Sequence, residues 1–264
     1  MKTWRAILIS VVLGACGSAR AINFQDLWWN PSESGWGVNI AQQSDTLFAT
    51  WFIYGTDNRP YWIVMPGSAR LPSFTGTVHQ GALYSVTGPY FGMPTFNPAN
   101  VVVGSPVGMA TFTFTDAKSG TLVYTVNGVT ASKTITRQNI VAMNLTGSYY
   151  GGFRREASGC ANSALNGSQL SSAIYLVAGT TDGANSAPLS LTEIGGNGCR
   201  FTGSMVQYGS TFEGSGSYTC DGATGTWSGR EGLVNEFTFS MRLSLTQAGE
   251  TCTINGSIGG FKPQ

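Results

Sequence analysis

Thr121-Leu122-Val123-Tyr124-Thr125-Val126-Asn127-Gly128-Val129-Thr130-Ala131-Ser132-Lys133-Thr134-Ile135 reads as two β-strands around a tight turn, and it decides the fold class. Asn-Gly supplies the two positive φ values of a type I′ turn, whose twist matches that of the strands it joins. With the turn at 127–128, Val126 faces Val129 and Tyr124 faces Ala131. Side chains alternate along a strand. Leu122, Tyr124, Val126, Val129 and Ala131 therefore share one face, and Thr125, Thr130, Ser132 and Thr134 share the other. The ribbon has one face to bury and one to leave in water.

The same texture extends outward in both directions. Val38-Asn39-Ile40 alternates, Thr46–Tyr54 is a β-branched and aromatic run, and Gly55-Thr56-Asp57-Asn58 turns the chain into residues 61–65. Residues 74–84 are interrupted by Gly76 and Gly81, the marks of bulges or close bends. Residues 110–115 put Phe112 and Phe114 on one face. No window of twelve residues carries the helical period at comparable strength. Thirty-six glycines among 264 residues belong to many short strands joined by turns. The expected fold is all-β, with two antiparallel domains, each a β-barrel or a β-sandwich, over residues 22–140 and 141–264. The boundary follows from a change of texture. Beyond Trp62 the only tryptophan is Trp227, Cys160, Cys199, Cys220 and Cys252 all lie past residue 159, and a fresh strand set starts at Asn144-Leu145-Thr146-Gly147-Ser148-Tyr149-Tyr150. No Pro/Ser linker separates the halves, so they are expected to pack together.

The first residues set the expected compartment. Lys2 and Arg5 precede an apolar run over 6–15, and Ala19-Arg20-Ala21 follows as a small-x-small cleavage site. That is the pattern of a secretory signal over residues 1–21, and the run is too short for a permanent membrane helix. Leu13-Gly14-Ala15-Cys16 overlaps it and resembles the lipobox of bacterial lipoproteins, with Cys16 as the lipidated residue. The two alternatives are a released protein and one held by a lipid anchor. Both place it in the periplasm, at the outer membrane or outside the cell. Removing residues 1–21 takes away Lys2, Arg5 and Arg20 and no acid, leaving eleven basic against thirteen acidic side chains. Charged residues are 10% of the chain and no basic run exists. Nucleic-acid binding, which needs a basic footprint to neutralise phosphates, is excluded. No later stretch is long and apolar enough for a transmembrane helix.

Catalytic and metal chemistry find few footholds. His79 is the single histidine and no Gly-x-Ser-x-Gly elbow presents a serine, so a Ser-His-acid triad has no obvious home. His79 sits beside Gln80 in a glycine-interrupted strand and is expected to be a surface or hairpin residue. The cysteines lack a C-x-x-C spacing, Asp116–Gly120 and Asp182-Gly183 lack the alternating carboxylates of a calcium loop, and no phosphate-cradling glycine loop is present. Neither a cofactor nor a metal is expected. Glu33 is the best single acid, among Trp29, Asn30 and Trp36, with Asp26 or Asp57 as partners for glycosidic cleavage.

Aromatic density is the feature that stands out. Five of seven tryptophans, Trp28, Trp29, Trp36, Trp51 and Trp62, fall between residues 28 and 62, interleaved with Phe48, Phe52, Tyr54 and Tyr61. Flat aromatic faces take the C–H patches of sugar rings, while Asn30, Gln42 and Gln43 offer partners for hydroxyls. The competing reading is a core, where each large aromatic buries ~150–250 Å². On 47–53, Leu47, Ala49, Trp51 and Ile53 share one face, and Phe48, Thr50, Phe52 and Tyr54 the other, so the strand is covered on both sides or lines a cavity. Trp51 is assigned to the core. Trp28 and Trp29 are adjacent and cannot both point inward, so one is expected at the surface. The expected ligand-binding set is Trp28, Trp29, Asn30, Glu33, Trp36, Tyr54, Tyr61 and Trp62.

The disulfides follow from export and from hairpin register. Residues 200–208 and 211–219 are strand-like around Gly209-Ser210, whose leading glycine suits a type II′ turn. Tyr208 then faces Thr211, opposed residue numbers sum to 419, and Cys199 falls opposite Cys220 at a non-hydrogen-bonded pair, where side chains approach most closely. Cys160 and Cys252 are left to tie the start of the second domain to its last strand.

Leu27-Trp28-Trp29-Asn30-Pro31-Ser32-Glu33-Ser34-Gly35-Trp36-Gly37, followed by Gln42-Gln43, Phe48-Ala49-Thr50-Trp51-Phe52, Thr87-Gly88-Pro89 and Arg137-Gln138, resembles a module of uncharacterised secreted proteobacterial proteins. The resemblance covers about residues 26–138. It implies a secreted context and no chemistry. The leading expectation is an exported, non-catalytic binding module for a glycan, another apolar-faced molecule or a cell-surface ligand. The alternatives are a structural or protein-interaction envelope protein, scaffold or inhibitor, and a glycoside hydrolase using Glu33.

Overall fold

A computed structural model describes residues 22–181, 186–195 and 198–263. Residues 1–21, expected to be a secretory signal, with Cys16, and Asp182-Gly183 lie outside the described residues. Strand is the dominant element, and the chain builds two antiparallel β assemblies in succession.

The first holds β1 (Asp26–Trp29), β2 (Gly37–Gln43), β3 (Thr46–Tyr54), β4 (Pro60–Met65), β5 (Ala69–Leu71), β6 (Thr77–Leu83), the short pair β7 (Val86–Thr87) and β8 (Val102–Val103), then β9 (Gly108–Phe114), β10 (Ser119–Val126) and β11 (Val129–Arg137). Nine strands form one sheet in the order β4-β3-β2-β1-β11-β10-β9-β6-β5, with β7 and β8 set apart as a two-stranded pair. The sheet curls until its two sides meet. Val64 and Tyr84 exchange both backbone hydrogen bonds, at 2.9 and 2.8 Å, joining β4 to the chain just past β6. The β10–β11 hairpin has the expected register, Tyr124 opposite Ala131 and Val126 opposite Val129, with Asn127 and Gly128 both at positive φ. Gly81 is required by a close approach, since a Cβ there would lie 2.4 Å from the Gly67 carbonyl oxygen.

Alternation fills the inside of the curl with Trp28, Val38, Ile40, Leu47, Ala49, Trp51, Ile63, Phe112, Phe114 and Leu122. Trp28 is completely enclosed, its indole N–H donating to the Phe24 carbonyl at 2.9 Å. Trp51 is likewise core. The surface position expected for His79 is wrong. Its strand phase matches that of the buried residues, so the ring points inward at 1% exposure, edge-on to Phe24 and Phe114, with Nδ1 3.2 Å from Ser68 Oγ.

The second assembly is a closed barrel of β12 (Gly147–Ser158), β13 (Gly167–Gly179), β14 (Ala187–Ile194), β15 (Arg200–Tyr208), β16 (Thr211–Cys220), β17 (Ala223–Val234), β18 (Thr238–Gln247) and β19 (Thr253–Phe261). Each strand pairs with the next, and β12 closes on β19 from Tyr150–Phe261 to Ser158–Thr253. Closure leaves no free edge. Tyr149, Tyr175, Phe201, Met205, Phe212, Trp227, Met241 and Ile258 pack inside. Hydroxyls line the outside in register: Thr202, Ser217, Thr226 and Thr246 in one row, Ser204, Ser215, Ser228 and Ser244 in the next. Elsewhere the outside is apolar, where Phe261, Tyr150, Ile174 and Ile194 stand in one cross-strand row with Tyr150, Ile194 and Phe261 exposed. No helix among the described residues is long and apolar enough to cross a membrane.

Both disulfides have the expected pairing. Tyr208 faces Thr211 and Arg200 faces Thr219, so the hairpin brings Cys199 to Cys220 with Cα atoms 4.1 Å apart. Gly209 carries φ of 60°, as the leading residue of a type II′ turn must. Cys160 joins Cys252 where β12 leaves and β19 begins. The halves pack directly. Asp26 accepts from Arg137 at 3.0 Å and from the backbone N and Oγ of Ser210 at 2.7 and 2.9 Å, and Lys118 pairs with Glu213 at 2.8 Å.

Candidate functional site

The residues singled out from the sequence divide into three places. Trp28 is core. Asn30, Glu33 and Trp36 form a small polar lid at the edge of the curl. Trp29, Tyr54 and Trp62 lie on the outward side of β1, β3 and β4, while Tyr61, expected in the site, takes the inward phase of β4 and packs half-buried against the core at the edge of that face.

At the lid, Pro31–Glu33 makes a single 3-10 turn capped by Asn30, whose side chain accepts from the Ser32 N–H at 2.9 Å. Trp36 donates its indole N–H to Glu33 Oε2 at 3.0 Å and packs half-buried against the core. Lys133 follows Ala131 on the inward phase of β11 and reaches the same oxygen at 2.7 Å, with its ammonium 6.0 Å from the Trp36 ring. The hydrogen bond from Lys133 holds the Glu33 carboxyl below its ordinary value, and the same bond raises Lys133. A general acid needs the opposite shift. The two acids named as partners are committed elsewhere, Asp26 to Arg137 and Ser210, Asp57 to the backbone N–H of Arg59 in its own turn. Ser68 and His79 do touch, but Ser68 Oγ also accepts from the Leu47 N–H and the ring is sealed from solvent, where burial lowers its pKa. No substrate reaches it.

The outward face of β2–β4 is different in kind. β3 alternates so that Leu47, Ala49 and Trp51 go in while Phe48, Phe52 and Tyr54 come out, and on β4 Trp62 comes out between Tyr61 and Ile63. The outer side of β3 was expected to be covered or to line a cavity. Nothing among the described residues covers it. Phe52, Tyr54 and Trp62 are 54%, 59% and 51% exposed. Register lines them up, with Gly37 opposite Phe52, Phe52 opposite Trp62, and Tyr54 opposite Pro60. Continuing the β1–β2 register past Trp28–Val38 brings half-buried Trp29 beside Gly37. The row is then Trp29, a glycine gap, Phe52 and Trp62. Thr50 and Asn39, a cross-strand pair, supply a hydroxyl and an amide one step along. A trough of about 460 Å³ runs over Phe52, Tyr54, Tyr61 and Trp62. Comparison with family models, curated proteins and solved structures finds no match. The face must therefore be read from its own chemistry.

That chemistry is stacking. Uncharged, ring-lined and flanked by hydroxyl and amide groups, the trough suits a ligand with a flat apolar face and polar edges. Phe48 and Phe52 were absent from the expected site. Their signal lay in the second apolar phase of β3, which alternation displays but cannot assign to ligand or core. Cys160, Glu250 and Cys252 come within 4.8 Å of one another, but both sulfurs are committed to the disulfide.

Proposed function

We propose that the protein is an exported, non-catalytic binding protein that holds a saccharide on the outward aromatic face of β1–β4. The observation that carries this reading is the alignment of Phe52 and Trp62 in one cross-strand row, each half exposed, beside Tyr54 and the Asn39–Thr50 pair. Exposed apolar rows of this kind mark binding surfaces, and sugar rings match them because their C–H faces stack while their hydroxyls reach the flanking polar groups. Two disulfides support an oxidising destination. Release and lipid anchoring at Cys16 remain the two routes, and intact mass of the envelope-purified protein separates them. Binding of peptidoglycan and β-glucan oligosaccharides is the test. Trp62→Ala and Phe52→Ala are expected to weaken binding at least about tenfold, the scale of a lost stacking contact, with the melting temperature within a few degrees. Wild-type affinity in both variants contradicts the proposal.

A protein-interaction role has one observation of its own. Between β7 and β8 the chain exposes Tyr90, Phe91, Met93 and Phe96, and no charged residue occurs from 71 to 115.

A further inference from the structure

A cavity larger than the trough on the first sheet lies at the mouth of the second barrel, away from that face. It measures about 680 Å³, within the range of small-molecule sites, for which barrel mouths are a preferred location. Its apolar wall is Phe153, Leu165, Leu245 and Ile254, and the Cys199–Cys220 disulfide staples the rim.

The strand phase puts polar groups inside that mouth. On β12, Tyr149, Phe153 and Ala157 are buried, and Arg155 shares their phase. Cross-strand pairing sets Arg155 against Gln169, Phe153 against Ser171 and Tyr149 against Tyr175. Arg155 Nε donates to Gln169 Oε1 at 2.6 Å, and no acid pairs with this guanidinium among the described residues. Seven other cations do have acidic partners, from Arg59 to Arg242. Tyr218 lies near enough for the Arg155 charge to act on its hydroxyl, which burial otherwise raises. Two acids bear on the site. Asp221 sits exposed on the rim turn, and Glu193 stands beside Cys199, with Oε2 accepting its N–H at 3.0 Å. Next to the lining residues Cys199 and Ser171, Glu193 Oε1 is buried without a hydrogen-bond partner, and the buried Tyr175 OH has only a weak contact with Ser171. Natural proteins rarely leave such atoms orphaned unless water or a ligand satisfies them.

We propose that this mouth is a binding cup for an anionic amphiphile, a carboxylate or sulfonate on a short aliphatic or aromatic body, with Arg155 receiving the anion. The apolar wall takes the body, and the fork of Arg155, fixed by Gln169, presents its free N–H groups to the head. The cup is independent of the saccharide face, so the two proposals stand or fall separately.

Calorimetric titration of the full chain with decanoate and with decyltrimethylammonium tests it, since the two probes share a tail and differ in charge. Decanoate is expected to bind one per chain with Kd of ~10–100 µM, and the cation at least about tenfold more weakly. Arg155→Gln should weaken decanoate about tenfold or more while the melting temperature stays put. Ser171→Leu, which fills the wall, should block both probes. Trp62→Ala, which acts on the saccharide face, should leave the affinity for decanoate unchanged. No binding of decanoate, equal binding of the two probes, or unchanged affinity in Arg155→Gln overturns the proposal. So does loss of decanoate binding in Trp62→Ala, which would place the ligand on the first sheet.

Discussion

The curled sheet and the closed barrel solve one problem in two ways. Both wrap antiparallel strands around an apolar interior, and both must deal with strand edges that would otherwise pair with other chains. The barrel closes through a full ladder between β12 and β19 and is stapled by two disulfides. The first sheet closes through one pair of hydrogen bonds between Val64 and Tyr84, carries no disulfide, and depends on large rings inside. The outer surfaces differ as well. The barrel presents rows of Ser and Thr beside an exposed Tyr150–Phe261 pair, whereas the first sheet gathers Phe52, Tyr54 and Trp62, the one exposed tryptophan among the described residues, over a trough flanked by Asn39 and Thr50. The barrel has an apolar concavity within its mouth and an apolar row of Phe261, Tyr150, Ile174 and Ile194 on one side of its outer surface.

This contrast predicts different weak points. The largest loss should come from replacing Cys160 and Cys252 together by alanine. The bond closes 92 residues of chain, and its loop-closure effect is about 4–5 kcal/mol. Urea unfolding should show the barrel losing that much while the first sheet holds. Equal losses in both would mean that the halves unfold as one unit. Next is Arg137→Ala. The guanidinium is nearly sealed, paired to Asp26 and bonded to the Asn23 carbonyl. Stranding Asp26 should cost roughly 3–5 kcal/mol and loosen the junction, since Asp26 also holds Ser210. Trp28→Ala should cost about as much, ~3–5 kcal/mol, by emptying the first core.

A smaller effect separates the halves by pH. His79 is the chain's single histidine and belongs to the first sheet. Burial lowers its folded pKa below the ordinary 6.5. Above that value both folded and unfolded states are neutral and the histidine costs nothing. As pH falls through 6.5 the unfolded state takes up the proton first, so stability declines until the folded pKa is reached. Stability of the first sheet should therefore fall between about pH 6.5 and the folded value, and His79→Gln should remove that slope. Equilibrium unfolding followed by tryptophan fluorescence measures it. An unchanged slope in the variant would assign the acid sensitivity to carboxylates.

Much of the fold was legible because turn residues pin register. Asn127-Gly128 and Gly209-Ser210 each determine which residues oppose one another, and from the second came the Cys199–Cys220 pair. Alternation said that Trp28 and Trp29 face opposite ways but not which way is in. That depends on what β1 packs against, namely Phe24 and Phe114. The same limit hid Phe48 and Phe52, since an apolar outer phase looks alike whether it meets ligand or protein. The bridge between Val64 and Tyr84 joins segments twenty residues apart across β5 and β6, beyond the reach of the Pro66-Gly67 turn between them, so closure of the first sheet had no local trace. His79 was misplaced because glycines at 76 and 81 made its strand look like a surface hairpin, whereas Val78 and Gln80 take the other phase. Arg155 did leave a signal, a charge in phase with Tyr149, Phe153 and Ala157, and a charge there marks a barrel mouth.

The surface rings should matter least to stability and most to function, and that is the central claim. The most direct test is a backbone amide NMR titration of the full chain with peptidoglycan and β-glucan oligosaccharides. The account predicts shifts confined to Gly37, Asn39, Thr50, Phe52, Tyr54 and Trp62, with the barrel silent. Shifts centred elsewhere, or none for any of these saccharides, would contradict it.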